Sequence, residues 1–158
     1  MGAREMSEFE WTEAMSVGVQ ALDSDHKCLI RIINLLDEVH DSKEASRTIE
    51  MVLDTLMLYG RFHFAREEQV MEACEYPGKS FHASEHQGFA RYVTKLRERY
   101  GRKADNEMAG EVLEYLTGWL RHHILIQDMA FKPYVLGVSR VNEIALSAGP
   151  PLLDLQMQ

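Results

Sequence analysis

The feature that most constrains this chain is where its histidines fall. Apolar residues recur at alternating spacings of four and three in four separate segments. The first stripe is Leu22, His26, Leu29, Ile33, Leu36 and His40, and the second is Ile49, Leu53, Leu56, Gly60, His63, Glu67, Val70 and Cys74. The third is His82, His86, Phe89, Val93, Leu96 and Tyr100, and the fourth is Val112, Leu116, Trp119, His123 and Ile126. That alternation keeps one face of an α-helix turned toward a common seam. Breaks stand between the segments at Asp41-Ser42, at Tyr76-Pro77-Gly78 and at Gly101, and Pro133 closes the last. The pattern predicts helices over 22–40, 43–74, 80–100 and 105–131, with Asp41-Ser42 placed to cap the second. Four amphipathic helices with short connections make an all-α, up-down four-helix bundle.

The bundle occupies 1–136. Residues 1–18 read as an N-terminal arm whose Phe9 and Trp11 pack across the helices. Residues 137–158 read as a C-terminal extension: a short helix over 139–147, then a tail or linker at Gly149-Pro150-Pro151. There is no internal repeat.

His63 and Glu67 are four residues apart, as are His82 and His86, so each pair shares a helix face. His26 and His123 place a histidine on each remaining stripe, and Asp128 comes five residues after His123. A buried glutamate such as Glu67 costs several kcal/mol if ionised and unpaired, an objection that a metal partner removes. A lone histidine in an apolar seam is more often a hydrogen-bonded core residue. Five, drawn from all four segments, make with the carboxylates of Glu67 and Asp128 a ligand set for two metal ions. A separation of five residues is roughly 140° round an ideal helix, so the metal reading requires a π-bulge or local break between His123 and Asp128. His40 and His122 keep the ordinary reading, and Met51, Met57, Met71 and Met129 read as packing.

Imidazole with carboxylate suits iron, zinc, copper or manganese alike. There is no H-E-x-x-H motif and no Glu-x-x-His, so the zinc-protease and ferritin-like carboxylate patterns are absent. A net charge of −8 argues against a nucleic-acid or anionic-membrane surface. No run of about 18 apolar residues suggests a membrane span. The acidic N-terminus lacks the apolar segment of a signal peptide, and Cys28 and Cys74 read as reduced, buried thiols, so a cytoplasmic location is expected.

The ordered set His63-Phe64-Ala65-Arg66-Glu67-Glu68, Tyr76-Pro77-Gly78, His82-Ala83-Ser84-Glu85-His86, Trp119-Leu120-Arg121-His122-His123 and Asp128 resembles the hemerythrins, the single-domain bacterial hemerythrins in particular. Trp11, Ser16-Val17-Gly18-Val19 and Leu22-Asp23-Ser24-Asp25-His26 extend the likeness over 9–134. The resemblance implies two non-haem iron ions with an oxo or hydroxo bridge. His82, His86 and His123 would bind one iron; His26 and His63 would bind the other, which keeps an open position. Glu67 and Asp128 would bridge. O2 would be the ligand at the open iron, with NO or small anions as further occupants. Trp119 and Leu120 match apolar pocket positions, and Phe64 joins them. The function implied is reversible O2 binding for carriage, storage or delivery, not enzymatic turnover. The alternatives are sensing of O2, NO or redox state through the C-terminal extension, and a di-iron oxidase or peroxidase.

Overall fold

A computed structural model describes residues 9–102, 106–149 and 152. Its helices are α1 (Gln20–Val39), α2 (Ala45–Leu58), α3 (Phe64–Ala73), α4 (Lys79–Arg102), α5 (Asn106–Trp119), α6 (Met129–Val135) and α7 (Val141–Leu146). A π-helical turn, Tyr59–His63, joins α2 to α3 without a break, and a π-helical segment, Leu120–Asp128, joins α5 to α6. The result is four long rods, one short α-helix and a 3-10 turn at Glu13–Met15 ahead of the first rod, with no strand among the described residues.

The stripes explain the rods. Leu22, Leu29, Ile33 and Leu36 of α1 pack in the interior, as do Ile49, Leu53 and Leu56 of α2. Phe89, Val93 and Leu96 of α4 join them with Val112 and Leu116 of α5. Each such side chain contributes about 1.5–3 kcal/mol by leaving water. A second apolar cluster is built on Leu22, Val70, Met71, Phe131 and Val135. Every rod also carries buried histidine or carboxylate.

The turn at Tyr76-Pro77-Gly78 is prepared by a helix C-cap. Tyr76 N–H donates to Met71 O at 3.0 Å and Glu75 N–H to Glu72 O at 3.2 Å. Glu75 takes the left-handed conformation, φ 55°. This is the Schellman pattern, with glutamate where glycine is usual.

Several expectations are corrected. The helix expected to stop at Gly101 continues to Arg102, and Pro133 lies inside α6 instead of ending the rod. Helix α2 begins at Ala45 with Glu44 as its cap residue; Ser42 helps by accepting the Glu44 N–H on its hydroxyl at 3.1 Å. Ile126, placed on the inward stripe, is 58 % exposed, and Ile124 is buried in its stead. The π-helical register is the reason: its wider turn rotates every residue C-terminal to it relative to an α-helix. Met51 and Met57 are exposed instead of packed, whereas Met71 is fully buried. Cys74 is only half-buried.

The arm is held from Phe9 onward. Phe9 N–H donates to Asn34 Oδ1 and Asn34 Nδ2 donates back to Phe9 O, at 3.0 and 2.9 Å. Trp11 lies under the Lys27 ammonium. At the other end α7 packs on α3 and α1, and Asn142 Oδ1 accepts the Ala21 N–H at 2.8 Å in the first turn of α1. Of the stretch read as a tail or linker, Gly149 lies against the bundle, its carbonyl accepting from Arg66 Nη1, while Pro150 and Pro151 lie outside the described residues; Leu152, just beyond, is buried.

Candidate metal centre

His26 comes from α1 and His63 from the π-turn; Glu67 is on α3, and His82 and His86 are on α4. His123 and Asp128 come from the second π-helical segment. All seven are buried, none more than 3 % exposed. Their ligand atoms form two groups, each within 4.8 Å: Glu67, His82, His86, His123 and Asp128, and then His26, His63, Glu67 and Asp128.

The carboxylates divide their oxygens between the groups. Glu67 Oε1 lies 2.5 Å from His82 Nε2 and 3.1 Å from His86 Nε2, while Oε2 lies 3.0 Å from His63 Nε2 and 3.8 Å from His26 Nε2. Asp128 Oδ1 lies 2.8 Å from His82 Nε2 and 3.2 Å from His123 Nε2, while Oδ2 lies 3.2 Å from His26 Nε2. Each carboxylate thus offers one oxygen to each group. One group has five donors and the other four.

The π-helical segment makes this possible. Bonding from i to i+5 stacks residues five apart on one face, which aligns His123 with Asp128. The Tyr59–His63 turn has no counterpart among the sequence-based expectations. It places Tyr59 inward, in the position expected of Gly60, with its ring stacked on His63 at 4.5 Å and 13°.

These residues fit metal ions better than they fit one another. Both nitrogens of His26, Nε2 of His63, Oε2 of Glu67 and both oxygens of Asp128 are buried without a hydrogen-bond partner. Unmet buried polar atoms are costly. His86 Nε2 and His123 Nε2 face each other at 3.2 Å, an arrangement of lone pairs that requires a cation or a proton between them. Burial opposes charge on His26, yet the Asp128 and Glu67 carboxylates outweigh it and push its pKa up to about 10. The same balance takes His82 to about 10 and His123 to about 9. Burial also opposes ionisation of Glu67, but the surrounding histidines hold its carboxyl well below the usual range. Two ionised carboxylates in a dry core call for positive charge.

Outside this ring of nitrogens the support is carboxylate and aromatic. His63 Nδ1 donates to Asp25 at 2.8 Å, His123 Nδ1 to Glu85 at 3.2 Å and His86 Nδ1 to Glu68 at 3.4 Å. Such bonds fix the tautomer, so that Nε2 points inward with its lone pair. His26 has no such anchor, since its Nδ1 is buried without a partner. Phe64 stacks on His86 and Trp119 on His123, both at 3.9 Å, and Leu120 is fully buried. The two rings expected to line an O2 pocket therefore lie against the five-donor group. His122 is exposed, and His40 bonds locally to Asp37 O.

Sequence reasoning missed Tyr59, Asp25 and Arg66. The signals were available as spacings: Tyr59 is four residues before His63, Arg66 three after it, and Asp25 three after Leu22.

The comparisons with known proteins agree with this architecture. The family model described as hemerythrin HHE cation binding domain matches residues 17–135. A bacteriohemerythrin of Pseudomonas paraeruginosa is 32 % identical over 126 residues, covering 80 % of each chain. One from Stenotrophomonas maltophilia is 30 % identical over 79 % of this chain and 80 % of its own. A myohemerythrin of Sipunculus nudus is 30 % identical over 78 % of this chain and 91 % of its own. Four helical rods that gather five histidines and two carboxylates, together with this match across most of the chain, place the protein in the hemerythrin family.

Proposed function

We propose that the chain binds O2 reversibly at a non-haem di-iron centre, for carriage, storage or delivery. The observation that carries this reading is the division of donors: each carboxylate gives one oxygen to each group, and the groups differ by one histidine. His82, His86 and His123 would hold one iron, His26 and His63 the other, and Glu67 and Asp128 would span both. When bound, the iron pair supplies the two electrons that O2 capture draws on, and the group with fewer donors leaves room for a ligand.

The protein's own part is to hold and to exclude. Asp25, Glu68 and Glu85 keep the histidine lone pairs inward. Trp119, Leu120 and Phe64, with Tyr59 above His63, wall the centre with apolar surface that keeps water from it. The Tyr59 phenol stays protonated, because burial and then the Asp128 and Glu67 charges raise its pKa well above normal. Cys28 and Cys74 are thiols, which fits a reducing compartment and a cytoplasmic location. No described helix is long and apolar enough to cross a membrane.

The test is metal analysis followed by anaerobic reduction and O2 addition, with the visible spectrum recorded. Two irons per chain, and a charge-transfer band that appears with O2 and is lost on its removal, are expected. Two irons with irreversible oxidation would favour the sensing or oxidase alternatives. One metal or zinc alone would refute the di-iron reading.

A further inference from the structure

Asp25 and Arg66 belong to neither donor group, yet both are completely buried. Asp25 precedes His26 on α1, and Arg66 precedes Glu67 on α3. Their pairing is two-pronged: Arg66 Nε donates to Asp25 Oδ2 at 2.8 Å and Nη2 to Oδ1 at 2.7 Å. Oδ2 also accepts from His63 Nδ1 at 2.8 Å. The guanidinium therefore fixes the carboxylate, and the carboxylate fixes the His63 ring with Nε2 inward.

The far side of this pair is closed by the C-terminal extension. Leu152 N–H donates to Asp25 Oδ1 at 3.4 Å, and Arg66 Nη1 donates to Gly149 O at 3.4 Å. The Leu152 side chain is 1 % exposed and belongs to the main core cluster. Gly149 has φ +137°, and a Cβ there would meet the Phe62 ring at 2.7 Å. Only glycine seats the backbone this close, against the residue that precedes His63. The other two anchoring carboxylates are open to water: Glu68 is 37 % exposed and Glu85 30 %, against 0 % for Asp25. His63 is thus anchored in a dry setting that the extension completes.

We propose that the C-terminal extension positions the metal centre: Gly149 and Leu152 lock the Asp25–Arg66 pair, and the pair holds His63 in the four-donor group. Asp25 and Arg66 are positioning residues. The proposal rests on the di-iron reading and adds to it a route from the extension to one half of the site. Displacing the extension lets water reach the pair and loosens His63, so the four-donor group loses metal before the five-donor group does.

The test uses the full-length chain loaded anaerobically with Fe(II), as wild type, Gly149→Val, Asp25→Asn and Asp25→Glu. Iron bound per chain and the affinity of each iron are titrated. Exchange of hyperfine-shifted imidazole N–H protons into D2O is followed by NMR. Asp25→Asn is expected to weaken one iron by roughly 10–100-fold and to leave the other tight. Asp25→Glu should recover part of that loss. Gly149→Val should weaken the same iron less and speed exchange of one imidazole N–H. Should Asp25→Asn fail to fold, Gly149→Val carries the test. Two irons held by Gly149→Val with wild-type affinity and exchange would overturn the positioning role alone. Equal loss of both irons would also overturn it, as the mark of general destabilisation. A wild-type chain that takes up no iron would bring down the di-iron reading and this role with it.

Discussion

Glu67 and Asp128 are both fully buried, with carboxyl pKa values held below the usual range, and they sit among five imidazoles that they satisfy only in part. Glu67 Oε1 bonds His82 and His86, while Glu67 Oε2, both Asp128 oxygens and the inward nitrogens of His26 and His63 have no partner. That arrangement separates residues that hold metal from residues that merely lie nearby. Glu67→Ala removes one oxygen from each group, so the iron content should fall well below two per chain by chemical analysis. His122 is exposed and turned away, so His122→Ala should keep about two. Equal loss in both variants would mean that the neighbouring histidines are wrongly assigned. Leu120 tests the wall instead of the ligands. Leu120→Ala leaves a cavity in the core, costs about 2–5 kcal/mol in stability and should speed autoxidation of the loaded protein. An unchanged autoxidation rate would show that Leu120 does not keep water out.

The two π-helical stretches are where the helical rods change their facing. An uninterrupted α-helix would turn Asp128 away from His123; the Leu120–Asp128 segment brings them to 3.2 Å at the expense of exposing Ile126. The α3 terminus carries a different local strain. Glu75 holds φ 55° in the C-cap and its side chain is exposed. An L-residue there costs roughly 1–2 kcal/mol that glycine does not. Glu75→Gly should therefore stabilise the fold by about 1 kcal/mol in urea unfolding, after glycine's greater chain entropy takes its share. A destabilised variant would show that the Glu75 side chain contributes contacts that outweigh the backbone strain.

Across the whole molecule, the buried charges link stability to pH and metal. In the metal-free chain His26, His82 and His123 are raised from 6.5 to about 10, 10 and 9. The folded state then binds more protons than the unfolded one between these limits. Stability from the imidazolium–carboxylate contacts is full below pH 6.5 and is lost as pH rises through about 9–10. Urea midpoints of the metal-free protein should fall across that window, and those of the iron-loaded protein should fall much less. Metal uptake should also release protons, measurable by pH-stat. A flat midpoint in the metal-free protein would mean that the histidines are neutral there.

The range of each interaction decides how far the chain can be read without its structure. Four helices, their inward faces and the candidate ligands are legible because each depends on residues three, four or five apart, and helical geometry turns such spacings into faces. Even the π-helical segment is legible, since His123 and Asp128 can share a face in no regular α-helix. Tyr59, Arg66 and the exposure of Ile126 are within reach of the same spacings but need the position of each π-turn. Only the tertiary structure decided which oxygen of Glu67 faces which histidine. It alone brought Gly149 and Leu152 onto the Asp25–Arg66 pair, with Asp25 127 residues from Leu152 in sequence. Contacts of that separation leave no periodic trace, because they are set by how the rods pack and not by the turn of any one of them.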